Sequence, residues 1–585
     1  MVMQMTVVKP HQELMHQGAL VEFHADLGKA VFVSHQWLSD QHPDPEFKQF
    51  RVLQESFANL LAGKTAISLD LMTELFFGRV RSLDTTKFTS ATLFIWYDYF
   101  SVPQLLGMES ECEALNTRTK QHQAITGIPA YIRKCGLFVA LCPTMTHADT
   151  SKPMSRYSWA RRGWCRFEKM FGELCVEDGL IMLVESPQHV SAIGSWEAMV
   201  ESHGDGEFTV ERDRSLLAEI LKNMLEDDLR RSLRRGALHH YRFWLNQQHV
   251  RFRNCSIEPS IGLLDLSRVA DDGVVERFFY QNGFRKVADR DRAGWSPFCY
   301  AILGGLPDVI EGLLAMGANP NDCILKAQKA LNIPKQTPVL NMSALLGNNH
   351  ALRILLAARA DIRAKDGNGS SALHYASIGN NSEGIQMLLG AGANPGARNL
   401  FGQIAQQAAC FVGARKALVE LLKAPAVPPA SASLFLLHWS LLFNGGDPEM
   451  VSMLIEAGCD LNEPFQPTSI MFKMMFLFGT VKHHVLSASA FSLASYHHRG
   501  ATPLMLSILT GKFSAANILL AAGAKMEFKN TRRWRASDFS VLMSAPQSLV
   551  HKLNVTDILT EGPTNFMQKP IGDLEDEDPV ISVSF

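Results

Sequence analysis

A doublet of leucines returns at a fixed interval through the second half of this 585-residue chain. It stands at Leu313-Leu314, Leu355-Leu356, Leu388-Leu389 and Leu421-Leu422, recurs as Leu454-Ile455, and closes at Leu519-Leu520; three successive gaps are 33 residues. That period belongs to stacked helix-turn-helix units, none of which can bury its apolar face alone, so this half must form an elongated array. Four of the six doublets lead, after two further residues, into Gly317-Ala318, Gly392-Ala393, Gly458-Cys459 and Gly523-Ala524. Glycine at that place ends a helix.

Upstream of the doublets runs a second motif, Gly294-Trp295-Ser296-Pro297-Phe298, Gln336-Thr337-Pro338-Val339, Gly369-Ser370-Ser371-Ala372-Leu373-His374 and Gly500-Ala501-Thr502-Pro503-Leu504. It suits a turn leading into a helix whose first turn accepts proline. Together the two motifs resemble the ankyrin repeat, over residues 291–545 in about six copies. His374 falls where that family places a histidine with structural hydrogen bonds, so it receives no ligand role. The 65-residue gap from 455 to 520 leaves 463–499 as either one decayed repeat or a long insertion, and the Met- and Phe-rich stretch Phe472 to Phe478 is expected to be buried.

The remaining length calls for further domains. A net charge of -2 gives no general support for a nucleic-acid or anionic-membrane role, although local patches stay open. The ten cysteines are dispersed without a Cys-x-x-Cys pair and read as reduced thiols. The first residues carry Lys9, His11 and Glu13 in place of a secretory apolar core, and Leu434 to Phe443 and Ile470 to Phe478 are too short to span a bilayer. A cytoplasmic protein is the expectation.

Residues 29–186 alternate short apolar runs with amphipathic segments, the pattern of a parallel sheet covered by helices. The strands are expected at Ala30 to Ser34, Leu93 to Asp98, Gly136 to Leu141 and Gly179 to Val184, and the helices at Glu46 to Leu61, Ala124 to Lys134 and Gly163 to Glu177. Residues 1–28 form an N-terminal arm. Residues 187–290 read as a helical bridge that caps the array, with one apolar stripe from Leu216 to Leu225, and the run Arg230, Arg231, Arg234 and Arg235 reads as a solvated helix end. The tail, 546–585, ends in Asp573, Glu575, Asp576, Glu577 and Asp578 and is expected to be largely disordered.

Ligands of open parallel sheets bind outside the carboxyl ends of the strands. Ser34, His35 and Trp37 follow the first strand, Asp98 and Val102-Pro103-Gln104 the second, and a loop after the third leads to Tyr157, Trp159 and Trp164-Cys165-Arg166-Phe167-Glu168. The run Val31-Phe32-Val33-Ser34 with the later Tyr157, Trp164, Cys165 and Glu168 is similar to a TIR (Toll/interleukin-1 receptor) domain, over about 155 residues. The resemblance implies a TIR- or flavodoxin-like fold that self-associates. In enzymatic members the glutamate serves nicotinamide release from NAD, a role that falls here on Glu168. His35 stands where that family has Phe or Tyr, and Val102-Pro103-Gln104 replaces a glycine-containing loop, so binding without hydrolysis stays open.

Two readings follow. In the first, the chain is an interaction and signalling scaffold, with the array selecting a protein partner and the TIR-like module self-associating. In the second it is an NAD+ hydrolase regulated by the array, with Glu168 as catalytic carboxylate, Ser34, His35 and Asp98 nearby, and Trp37 and Trp164 flanking the nicotinamide. Each residue also has a structural alternative: Glu168 as a first-turn glutamate, His35 as a hydrogen-bonded strand end, Asp98 as a turn cap, and the tryptophans as packing. No Walker loop, His-Glu-x-x-His, zinc spacing or nucleophile elbow is present. Neither metal nor cofactor is expected, NAD+ entering only as substrate, and neither nucleic acid nor membrane is expected as a partner.

Overall fold

A computed structural model describes residues 1–553 apart from 65–66, 78–90, 106–110, 176–179, 195–199, 261–272, 329–332, 425–433 and 486–488. The acidic tail and the end of the helix expected to reach Glu177 lie outside the described residues.

Six strands form one sheet: β1 (Lys29–His35), β2 (Ser68–Leu69), β3 (Leu93–Tyr97), β4 (Leu137–Leu141), β5 (Leu180–Val184) and β6 (Val190–Gly194), in the order β2-β6-β5-β4-β1-β3. β3, β1, β4 and β5 are mutually parallel, whereas β6 runs antiparallel to β5 and carries β2 parallel to itself. The sheet is therefore mixed, a correction to the parallel sheet expected. The short Ser186–His189 connection explains it, because a tight turn can join only antiparallel neighbours. With β2 at the far edge set aside, the chain goes from β1 outward to β3 and then crosses back to β4 on the other side of β1, which places the topological switch point at the carboxyl end of β1.

The two-residue alternation of the strands feeds two cores. Val31, Val33, Val139, Leu141, Met182 and Val184 face helix α1 (His11–His16) and helix α2 (Lys48–Leu61), where Phe47, Phe50, Leu53 and Phe57 cover them together with Val8 and Leu14. The N-terminal arm thus belongs to the module's core. Asp44 starts α2 by accepting the backbone N–H groups of Lys48 and Phe50 at 2.9 and 2.8 Å.

Ala30, Phe32, Phe138, Ala140, Ile181 and Leu183 face the other way, onto Ile132 of α3 (Ile128–Lys134) and Phe167, Met170 and Phe171 of α4 (Gly163–Cys175). Gly172 lets α4 approach: a Cβ there would stand 2.7 Å from the Phe138 ring. This second core does not stop at the module. It runs through Leu217, Leu221, Leu225 and Leu229 of α5 (Arg212–Arg234) and the aromatic residues of α6 (Leu238–Arg251) into the inner residues of the repeats. The two halves do not form separate cores; the bridge's apolar stripe joins them.

α6 and α7 (Val274–Asn282) pack on the first hairpin, with Phe243 against Trp295 and Val275 against Gly312. Arg230 and Arg231 pair with Glu226 and Asp228 on their own helix. Among the described residues, stacked hairpins occupy 297–315, 339–357, 372–390, 405–423, 436–456, 503–521 and 536–552. Gly317, Gly392, Gly458 and Gly523 all adopt left-handed φ, from 83 to 91°, at the helix ends the sequence assigned to them. His374 is a structural bolt, its Nε2 2.9 Å from the Gln403 carbonyl and its Nδ1 3.0 Å from Ser371 Oγ.

The hairpin 436–456 stacks directly on 503–521, where Thr510 Oγ1 donates to the Leu441 carbonyl at 2.8 Å. The intervening α8 (Ile470–Val485) and α9 (Ala490–His497) form their own antiparallel pair outside that contact. Residues 463–499 are an insertion, not a decayed repeat. Phe472 and Phe476 are buried beneath α8, but Met471, Met474, Leu477 and Phe478 are exposed, which corrects the expectation of a buried stretch.

Candidate functional site

At the carboxyl end of β1, Ser34 and His35 point to opposite faces, as neighbours on a strand must. His35 is buried and stacked on Tyr97, ring centroids 3.9 Å apart, with the Tyr97 hydroxyl 3.3 Å from Nδ1. Its Nε2 donates to Asp98 Oδ1 at 2.8 Å, and Trp37 Nε1 donates to Asp98 Oδ2 at 2.9 Å. Asp98 stands at the end of β3, which lies beside β1 with Val33 opposite Tyr97. Three residues from two strand ends are thereby fixed as one unit.

Ser34 faces α4. Its hydroxyl accepts from Trp159 Nε1 at 2.9 Å and hydrogen-bonds the Glu168 carboxyl. Cys165, one turn before Glu168, donates to the His35 carbonyl at 3.7 Å and so ties the helix to the strand end.

Burial pushes the Glu168 carboxyl from its ordinary 4.5 up to about 8; the Asp98 charge adds to this, against the Ser34 hydrogen bond and the His35 charge. Asp98 goes the other way. Burial works to raise it, but the His35 charge and the hydrogen bonds from His35 and Trp37 prevail and hold it below its ordinary value. With 37% of its side chain exposed, that pairing is partly screened by solvent. Burial likewise works to lower His35, and Asp98 outweighs it, so the imidazole is raised. Two carboxyl groups in environments that separate their titration are the arrangement from which a proton donor and a fixed anion are made.

Of the expected site residues, Ser34, His35, Trp37, Asp98 and Glu168 meet at this edge. Trp164 does not join them: its Nε1 donates to Asp213 of α5 at 2.9 Å, because the bridge helix offers a carboxylate on the outer side of α4. Arg161, Arg162 and Arg166, close to Glu168 in sequence, bind Asp447 and Glu449, Thr209, and the Ala160 and Ser202 carbonyls. Sequence reasoning overlooked Tyr97 as the plate beneath His35 and gave Trp159 only a packing role. The signal for Tyr97 was its place directly before Asp98.

The family described as ankyrin repeats (3 copies) matches residues 322–399. Human transient receptor potential cation channel subfamily A member 1 is 23% identical over 308 residues, which is 44% of this chain and 26% of that protein. The ankyrin repeat domain of human ASB11 aligns with 46% of this chain and 99% of its own at 18% identity, TM-score 0.32. That of Bcl-3, a member of the IkappaB family, aligns with 45% and 100% at 17% identity, TM-score 0.31. No helix among the described residues is long and apolar enough to cross a membrane. Residues 322–399 thus match ankyrin repeats, and helical hairpins of the same form continue on either side of them, an architecture that serves protein–protein interaction.

Proposed function

We propose that this chain is a signalling scaffold: the ankyrin array takes a protein partner, and the α/β module, TIR-like and capable of self-association, is carried on it. The observation behind this reading is the seven-hairpin stack with the module fastened to its flank, Arg161 reaching Asp447 at 2.8 Å and Glu449 at 2.7 Å. The order of the four parallel strands, second-first-third-fourth along the chain once β2 is set aside, is that of flavodoxin-like sheets and supports the module's assignment. The finger loops of the array present exposed side chains such as Arg363 and Leu400. Cross-linking followed by mass spectrometry is expected to capture a partner that Leu400→Asp with Arg363→Asp loses while the melting temperature holds. Capture indifferent to the finger loops would overturn the partner assignment, and a monomer at every concentration in sedimentation velocity would overturn self-association.

A second reading, hydrolysis of NAD+ at the β1 edge, is favoured by the divergent carboxyl pair. A carboxylate stabilises the oxocarbenium-like charge of a breaking glycosidic bond. Glu168, protonated near neutral pH, would give its proton to solvent as the cationic nicotinamide ring arrives and lowers its pKa; the ribosyl C–N bond then breaks with its electron pair leaving on nicotinamide, and water forms the new C–O bond and releases a proton. The assay is nicotinamide release by the full chain, alone and fused to a tetrameric coiled coil, against Glu168→Gln. Release by the parent and not the variant supports it; no release from either form refutes it.

A further inference from the structure

The insertion helix α8 carries apolar residues on all sides, broken by Lys473, Lys482, His483 and His484, yet only part of it is covered. Phe472 and Phe476 pack inward on Trp439 and Phe465, and Gly479 lets α9 come close, a Cβ there meeting Ser495 at 2.0 Å. On the other side Ile470, Met471, Met474, Leu477, Phe478, Val481 and Val485 stand in solvent, from 48 to 77% exposed. The stripe runs the length of sixteen residues, about 24 Å. An exposed continuous patch of large apolar side chains marks a surface that meets something else.

Charge says what kind of surface that is. The chain as a whole is -2, but residues 464–553 hold ten Lys or Arg against two acidic residues, Glu527 and Asp538. Part of this surplus lies at the end of α8. His483 stacks on Tyr496 at 4.5 Å, Arg532 lies over the same ring, and Asn530 Nδ2 and Thr531 N bond to the His497 and Arg499 carbonyls, so the loop 525–535 is docked beside the insertion. That loop exposes Lys525, Lys529, Arg533 and Arg535 together with Phe528. Lys473 stands exposed within the stripe, and α8 holds no acidic residue. The free face of α8 is apolar and bordered by the positive charge of the 525–535 loop. A flat, apolar and anionic partner needs only the free face.

We propose that α8 and the basic loop 525–535 dock peripherally on an anionic lipid bilayer, the apolar stripe entering the headgroup boundary and the basic side chains meeting lipid phosphate and carboxylate. The sequence total hid this surface, since acidic residues elsewhere cancel its charge. The proposal is independent of the chemistry at the β1 edge.

The test is co-sedimentation of the full chain with vesicles of pure phosphatidylcholine and of equimolar phosphatidylcholine and phosphatidylserine. The parent is expected to pellet with the second and remain in solution with the first. Met474→Glu with Phe478→Glu, both on exposed positions and checked for an unchanged melting curve, is expected to lose binding by about tenfold or more. Lys525→Glu with Lys529→Glu and Arg533→Glu is expected to lose as much, and added salt to weaken the parent. Failure of the parent to pellet with anionic vesicles, equal binding to both compositions, or indifference to the stripe variant would each overturn the proposal. So would two specific rivals: a dimer in solution dissociated by the stripe variant, which assigns the face to a second copy, or binding only after Asp573, Glu575, Asp576, Glu577 and Asp578 are neutralised, which assigns it to the chain's own tail.

Discussion

Replacing Glu168 with glutamine tests the electrostatics of the β1 edge without relying on any substrate. The carboxyl is raised from 4.5 to about 8 by burial, so the folded chain holds it protonated where the unfolded chain does not. For a raised folded pKa the associated stability is fully present below the unfolded value and is lost as pH climbs through the folded one. Each unit of displacement is worth about 1.4 kcal/mol, so the loss is roughly 1 kcal/mol at pH 5, roughly 3 at pH 7 and between about 4 and 5 at pH 9, as upper values that residual solvent contact reduces. Glutamine keeps the shape and a hydrogen-bonding partner for Ser34 and cannot ionise. The variant's stability relative to the parent should therefore rise by up to roughly 4 kcal/mol between pH 5 and 9. Urea unfolding of both proteins at a series of pH values reads this directly, because titrations common to both cancel in the difference. A difference that stays flat across that range would mean that Glu168 titrates normally, and the division of labour between it and Asp98 would fall.

Gly392 sits at φ +91° with open space around its missing Cβ, so Gly392→Ala should cost about 1–2 kcal/mol in thermal unfolding through backbone strain alone; an unchanged melting curve would contradict the helix end placed there. Glu74, in the helix Leu71–Phe77, binds Lys482, the Ser489 hydroxyl and the Phe491 N–H, and Glu74→Ala should cost roughly 2–4 kcal/mol by stranding the lysine. Its signature is faster amide exchange in α9 ahead of the stacked hairpins; uniform exchange would refute the latch. Asp447→Asn weakens the ties to Arg161 and Arg415, and amide exchange across 156–163 should accelerate as well as that of 436–456. Acceleration confined to the repeat would show that the array does not hold the module's edge.

What could be read from residues alone was whatever repeats or is buried on both faces. The 33-residue period announced itself because each hairpin solves the same packing problem, and β1, β4 and β5 were visible because strands covered on both sides need unbroken Val, Ile, Leu and Phe. That Ser34, His35, Trp37, Asp98 and Glu168 lie at one sheet edge could be read from residues, because strand ends and the start of a helix fix where to look. Trp164 was misplaced because its indole is claimed by Asp213, 49 residues on in a helix of another layer. The same limit applies to α8, whose inward and outward faces are equally apolar; only the stacking of 436–456 on 503–521 shows that it is left outside.

The shared core gives these separate features one mechanical frame. The segment 159–163 is short and carries three attachments: Trp159 bonds Ser34, Arg161 reaches the array, and Gly163 opens the helix of Glu168. Gly163 is itself hemmed in, since a Cβ there would lie 2.0 Å from the Phe208 ring, so this stretch cannot drift independently of the bridge. A partner that bends the stack near Asp447 would act on the segment that joins Ser34 to the helix of Glu168. Array and module are thereby joined by a hydrogen-bonded path only five residues long, which runs from Arg161 on the array to Trp159 on Ser34 and to the start of the helix that carries Glu168.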